Sequence, residues 1–380
     1  MALGAFALVS SEFLPVSLLT PVARDLRVSE GQAGLAISVS GAFALITSLF
    51  ISSMAGRMDR KLLLVSLTLL MIVSGTVAAF SSNYGAFMVG RALIGVAVGG
   101  FWSMSAAITM RLVPAHQVPR ALAIVNGGNA LAMVIAAPMG SFLGGIVGWR
   151  WAFFAVVPVA AIALCWKLYS LPSMKVDRVA KSGSVLALMR RPVVALGMVT
   201  VSLFFMGQFT LFTYLRPFLE AVTQVEVSTL SWMLLLLGLA GVVGTFFIGA
   251  FLKDGGLYRT LIVIPFLMAA VAVTLVYLGG SMAVTAALLG AWGLLATAAP
   301  VGWWTWLART LPRDAEAGGG LMVAVVQLAI SLGATVGGLL FDLSGYRATF
   351  GASAVMLTAS GLAAMLVARM QRGAGASPSA

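Results

Sequence analysis

The stretch EFLPVSLLTP, Glu12 to Pro21, returns 196 residues later as QFTLFTYLRP, Gln208 to Pro217. Glu12, Phe13, Ser17, Leu19 and Pro21 fall over Gln208, Phe209, Thr213, Leu215 and Pro217. A shift of 197 places Gly140, Leu143, Gly148, Trp149, Arg150 and Phe153 over Gly337, Leu340, Gly345, Tyr346, Arg347 and Phe350. A shift of 198 places Arg111 and Pro114 over Arg309 and Pro312. Three matches at nearly one period make the chain a duplicated unit whose copies run in the same direction.

The unit is built of membrane helices. Of the 380 residues, 61% are hydrophobic and 9% charged, against about 25% charged in soluble domains. Apolar runs of roughly 20 residues, long enough to cross a bilayer as helices, recur along the whole sequence. We read six in the first copy: Leu3–Ala23, Gly31–Met54, Leu62–Phe80, Tyr84–Met110, Leu122–Ile146 and Trp151–Leu171. The second copy has Pro192–Phe218, Val227–Leu252, Thr260–Leu278, Ser281–Leu307, Gly320–Leu343 and Thr349–Val367. The expected fold is an all-α membrane protein with twelve transmembrane helices in two pseudo-symmetric six-helix bundles. Residues 1–171 form the first bundle, 172–191 a central loop, 192–368 the second bundle and 369–380 a tail.

Charge sets the expected orientation. Of the 23 Lys and Arg, 17 fall at one end, in or beside the central connection, the tail, and the loops after helices 2, 4, 8 and 10. Arg24, Arg27, Arg150, Arg216 and Arg347 lie at the other end, and Arg91 within helix 4. The basic-rich end faces the cytoplasm, so both termini are expected inside a bacterial inner membrane. The net charge of +12 is thereby accounted for by lipid headgroups and topology, without nucleic acid. The first run continues through Glu12, Pro15 and Pro21 with no basic leader, so we read no cleavable signal peptide. Cys165 and His116 are single, which excludes an internal disulfide and a Cys/His zinc site. No metal or cofactor is expected.

Charges in hydrocarbon are costly and mark function. Glu12 is the one carboxylate near the middle of a predicted helix; a carboxyl group there can take up and release a proton, as proton coupling requires. A structural ion pair is the alternative. Arg91 either ties helix 4 to backbone carbonyls of helix 1 or acts by its field on Glu12. In AGRMDRK, Ala55 to Lys61, Asp59 and Arg60 form an acid–base pair able to latch the two halves, or else the bases simply anchor topology. Pro138, in the small-residue run GGNALAMVIAAPMGSFLGG of helix 5, frees backbone groups that a neighbour must satisfy, and suggests a bend where the halves meet. GVAVGG, Gly95 to Gly100, is not a phosphate loop, because no Lys-Ser/Thr follows.

Phe205, Gln208, Phe209 and Phe212 form one stripe of helix 7, suited to packing or to a pocket. Phe101 and Trp102 in helix 4, and the amides Asn126, Asn129 and Gln327 in helices 5 and 11, are further substrate candidates. Trp303, Trp304 and Trp306 read as interfacial anchors or ligand contacts.

With these residues in view, the chain resembles the twelve-helix drug/proton antiporters of the major facilitator superfamily, in which parallel six-helix repeats place the site between them. The resemblance covers essentially all of it and is carried by EFLPVSLLTPVARDL, RALIGVAVGGFW, APMGSFLGGIVGWRWAFF and the Asp59 loop. That loop departs from the family pattern, which has a Gly and a longer basic tail after the Asp-Arg. Within the family, EFLPVSLLTP, GGFWSMSA, TMRLVP, GQFTLFTYLRP and PVGWWTW are most similar to the bacterial purine ribonucleoside efflux pumps. The resemblance implies export of inosine- and guanosine-like nucleosides in exchange for protons, by alternating access, in a monomer whose partners are substrate, protons and lipid. A sugar or multidrug antiporter is the alternative cargo reading. An enzyme would show paired carboxylates, a Ser-His arrangement or a metal cluster within the membrane, and a sensor a soluble output domain. The sequence displays neither.

Overall fold

The computed structural model describes residues 1–56, 58–174, 188–252, 256–311 and 314–375. Most of the central loop, residue Pro312 of the repeat match and the end of the tail lie outside the described residues.

The described chain is helical almost throughout, as hydrocarbon requires of a backbone that cannot bond to water. The first half comprises α1 (Ala2–Leu26), α2 (Glu30–Ala55), α3 (Arg60–Ala79), α4 (Tyr84–Leu112), α5 (Val118–Ile146) and α6 (Trp149–Ser170). The second comprises α7 (Pro192–Phe212), α8 (Val227–Phe251), α9 (Gly256–Leu278) and α10 (Met282–Thr310), then a long run, Ala315–Gly375. That run is interrupted at Gly345, giving α11 (315–344) and α12 (346–375). The described residues therefore form twelve helices long and apolar enough to cross a membrane. Two helix starts of the first half carry conventional caps: Ser29 and Gln32 form a capping box at α2, and the Asn83 side chain accepts from the Ala86 N–H at α4.

The repeat is visible in the backbone. Gly148, between α5 and α6, has φ 87° and Gly345, between α11 and α12, has φ 74°. These repeat mates adopt positive φ, where a side chain is strained, so the same turn is made twice by the same residue. One predicted helix is revised. Pro192–Phe218 is not continuous: α7 ends at Phe212, and a short turn, Leu215–Phe218, leads into a π-helical turn, Leu219–Thr223. Pro21, the repeat mate of Pro217, is accommodated inside an unbroken α1.

Small residues set the packing within each half. Gly95 and Gly99 of GVAVGG lie against the Ser40 and Ala44 carbonyl regions of α2, and Gly100 against Leu67 of α3. The motif is a helix crossing. In the second half, Gly244 and Gly293 bring α8 and α10 together in the same way.

Between the halves, α2 packs on α11 and α5 on α8. Ser38 Oγ donates to the Ser331 carbonyl at 2.9 Å, and Thr335 Oγ1 to Ser38 Oγ at 2.8 Å. Further from the basic end, the Asp342 carboxylate of α11 caps the start of α2, accepting from Ser29 Oγ at 2.5 Å and the Gly31 N–H at 2.9 Å. Arg216 reaches across to the Ser17 carbonyl and pairs with Glu220 at 2.8 Å. Among the described residues, every hydrogen bond between the halves lies at the depth of Glu12 or further from the basic end.

Toward the basic end the halves part. Val134 of α5 meets Gly238 of α8, but Gly127, two turns away on the same face, has open space where a side chain would be. Likewise Gln327 of α11 meets α2 at Gly41, whereas Gly320, two turns away, is open. Among the described residues, the hydrogen bonds between the halves thus gather away from the basic end, and Gly127 and Gly320 face open space toward it.

The seal makes two predictions. A Cβ at Gly31 would fall on Asp342 and the Gly338 carbonyl, so Gly31→Leu should abolish the close approach and trap the molecule open at that end. Asp342→Ala should remove a charge held at a helix N-terminus, about 1 kcal/mol or roughly five-fold in the population ratio. The measurement is the distribution of distances between spin labels at Arg27 and Leu343, which should gain a longer component in both variants.

Candidate functional site

The site is built on the two repeat mates quoted at the outset. Phe13 of α1 and Phe209 of α7 stack on one another, with ring centroids 5.7 Å apart and planes at 27°. Residues related by a two-fold axis can touch only if the axis passes between them, so this pair marks the pseudo-symmetry axis of the molecule. Phe212 meets Phe209 edge-on at 5.9 Å, and Phe205 packs edge-on to Phe204 at 5.4 Å. Phe209 and Phe212 of the stripe therefore share one aromatic group with Phe13 at the junction of the halves, while Phe205 pairs with Phe204.

One residue before each stacked ring stand Glu12 and Gln208. Glu12 is 4% exposed and Gln208 7%. The Glu12 carboxylate accepts from the Nε2 of Gln327, on α11 of the opposite half, at 3.4 Å. Gln327 is itself 7% exposed, and its main-chain carbonyl is held by Ser331 Oγ at 2.9 Å. The buried carboxylate and an amide from the other half thus meet at the middle of the interface. The side-chain oxygens of Gln208 and Gln327 have no hydrogen-bond partner among the described residues.

Arg91 does not bond the Glu12 side chain. Its guanidinium donates to the main-chain carbonyls of Ser11 (2.8 Å), Glu12 (2.9 Å) and Ala36 (3.1 Å), and to Ser40 Oγ at 3.2 Å. One planar, permanently charged group clasps α1, α2 and α4, and it holds the backbone on which Glu12 is mounted.

The remaining candidates are dispersed. Phe101 is buried in the core of the first half, with Trp102 edge-on at 5.4 Å and only partly buried. Asn126 is exposed and bonds its own helix at the Leu122 carbonyl; Asn129 is half-buried. Pro138 lies buried within an unbroken α5. As a proline it cannot donate to the Val134 carbonyl, and it is at Val134 that Gly238 of α8 comes closest. Asp59 caps α3, accepting from the Lys61 N–H at 2.8 Å, and binds the start of the central connection through Ser173 and the Met174 N–H. Arg60 is buried beside it, its side chain donating to the Gly56 carbonyl at 3.4 Å. Of the three candidate tryptophans of α10, Trp303 and Trp306 are core residues of the second half, and Trp304, 46% exposed, faces outward.

Two functional candidates escaped the sequence reading. Lys167, 3% exposed, donates to Thr68 Oγ1 at 2.6 Å and stands 5.6 Å over the Phe101 ring. Its signal, a cation inside the apolar run of helix 6, was masked by its nearness to the basic end. Asp342 had none, since an acid at a helix end is ordinary and its bond to α2 is a tertiary fact.

The Major Facilitator Superfamily model matches residues 1–334. Over 379 residues the chain is 58% identical to a protein of Pseudomonas aeruginosa named transcription regulatory protein OpdE, covering 99% of this chain and 94% of that one. It is 42% identical over 335 residues to the purine ribonucleoside efflux pump NepI of Salmonella typhimurium, covering 88% of this chain and 84% of that one. In fold it is similar to a bacterial homologue of the human lysosomal transporter Spinster, solved inward-facing and unoccupied, with TM-score 0.76, 16% identity and coverage of 97% and 96%. The duplicated twelve-helix fold and these matches agree: the chain belongs to the major facilitator superfamily.

Proposed function

We propose that the protein is a proton-coupled antiporter that exports small polar aromatic solutes, purine ribonucleosides such as inosine and guanosine foremost, across a bacterial inner membrane. The observation that carries this reading is the buried Glu12 carboxylate, bonded by Gln327 of the opposite half at the junction where Phe13 stacks on Phe209. A protonatable group at the interface of two rocking halves gains and loses its proton according to which side is open. The stacked phenylalanines offer a flat apolar face to a purine, and the nearby amides suit its polar edges. The name of the NepI relative supports the cargo class.

With the basic end placed in the cytoplasm, the end toward which Gly127 and Gly320 face open space is the inner one, and both termini lie inside. Export then runs as follows. Cargo enters from the cytoplasm against ionised Glu12, residues 1–171 rock against 192–368, and the Asp342 seal opens on the far side. Cargo leaves, Glu12 takes a proton there, and the molecule returns. Asp59 and Arg60 would brace the basic end when it closes. The protein acts as a monomer with lipid around it. A sugar or multidrug antiporter with the same cycle is the second cargo reading. The OpdE name is compatible with transport, because an exporter that lowers the concentration of an inducer alters transcription without touching DNA.

In proteoliposomes loaded with inosine, efflux should accelerate under an inward proton gradient, and Glu12→Gln should remove that acceleration while leaving a folded protein. Full gradient dependence in Glu12→Gln contradicts the coupling role. Arg91→Lys should behave differently. One ammonium cannot reach all four acceptors on α1 and α2, so stability should fall by about 2–3 kcal/mol, read as a lowered melting temperature together with lost transport.

A further inference from the structure

Gln208 and Gln327 each bury an amide oxygen with no partner among the described residues, and a buried acceptor left unpaired loses the hydrogen bonds it had to water. Both lie where the halves meet. Gln208 precedes Phe209 of the axial stack, and Gln327 bonds Glu12. Gln327 Nε2 is committed to the Glu12 carboxylate, which turns its oxygen away from Glu12. Resting on the transport reading above, we infer that cargo is recognised through its own hydrogen-bond donors by the amide oxygens of Gln208 and Gln327, and that Glu12 decides which way the Gln327 amide faces.

The chemistry of an amide explains the second clause. An ionised carboxylate only accepts, so Gln327 gives it Nε2 and offers Oε1 to the cargo. A protonated Glu12 has an O–H to donate, and the partner it needs is Oε1. The amide then turns over, and a cargo donor meets an N–H where it had met an oxygen. The proton and the cargo donor compete for one oxygen atom without competing for one space. Arg91 is the charged group facing Glu12 from the helices packed around α1. Its bonds go to main-chain carbonyls and a hydroxyl, so it leaves the Gln327 amide free to turn.

The cargo class follows. It carries a flat face for Phe13 and Phe209 and at least two N–H or O–H donors, which suits a hydroxylated nucleoside and excludes a lipophilic cation without donors. A site built of acceptors rejects an analogue lacking the matching donor far more strongly than a hydrophobic pocket rejects a missing methylene.

The test is equilibrium binding to purified protein at pH 8 and pH 5.5, with inosine, 1-methylinosine and 2′,3′-dideoxyinosine as probes. Inosine should bind more tightly at pH 8, and at least one donor-deleted analogue should bind about ten-fold more weakly than inosine. Gln208→Leu and Gln327→Leu, checked for folding by their melting temperatures, should each weaken inosine while erasing the penalty for one missing donor. Gln327→Leu should also flatten the pH dependence. Equal binding of all three probes to the wild type, or the full penalty retained in both variants, overturns the inference while leaving nucleoside transport standing. Absence of nucleoside binding with tight tetraphenylphosphonium binding, unaffected by either variant, sinks both the nucleoside cargo and the donor rule.

Discussion

A bilayer supplies no water to its interior, so every polar group there must find a partner inside the protein. That constraint makes the backbone helical, turns serine and threonine hydroxyls back onto their own helices, and leaves the few charges to be used deliberately. Arg91 spends its donors on α1 and α2 and so ties them to its own helix, α4. Asp342 is placed at a helix start, where N–H groups would otherwise lack acceptors. Glu12 is a buried carboxylate whose hydrogen-bond partner, Gln327, lies on the other half, so its bond depends on the arrangement of the halves.

Duplication explains why Glu12 falls where it does. Two copies of one six-helix unit place their first helices face to face, and Phe13 against Phe209 shows how closely they meet. An exact dimer would put the same residue on both sides of the axis. Here one side carries a carboxylate and the other an amide, so the axis separates a residue that can change charge from one that cannot. The seal is similarly uneven. Asp342 and Arg216, both from the second half, reach into the first.

Much of this was legible in the residues. The period of the repeat announced the two halves, and Gly148 and Gly345 then made the same turn at the same place. Glu12 stood out because a carboxylate in hydrocarbon always asks for a reason. Other features were not legible because they depend on depth and rotation, which no linear pattern encodes. Arg91 and Glu12 are neighbours through a carbonyl, not through the carboxylate. Phe101 looks like a pocket residue in sequence but is packed inside one half, and Lys167 was lost among the basic residues of its end. The break after Phe212 was missed because the matching segment of α1 runs straight through its own proline.

The central claim is that Glu12 exchanges its proton for cargo, and stoichiometric proton release on binding tests it most directly. In weakly buffered solution, inosine added to the detergent-purified protein at mildly acidic pH should release protons that an indicator dye reports. The amount should approach one per bound cargo as the pH is lowered, and Glu12→Gln should release none while still binding. Proton release unchanged in Glu12→Gln, or absent from a wild type that binds inosine, would contradict the account.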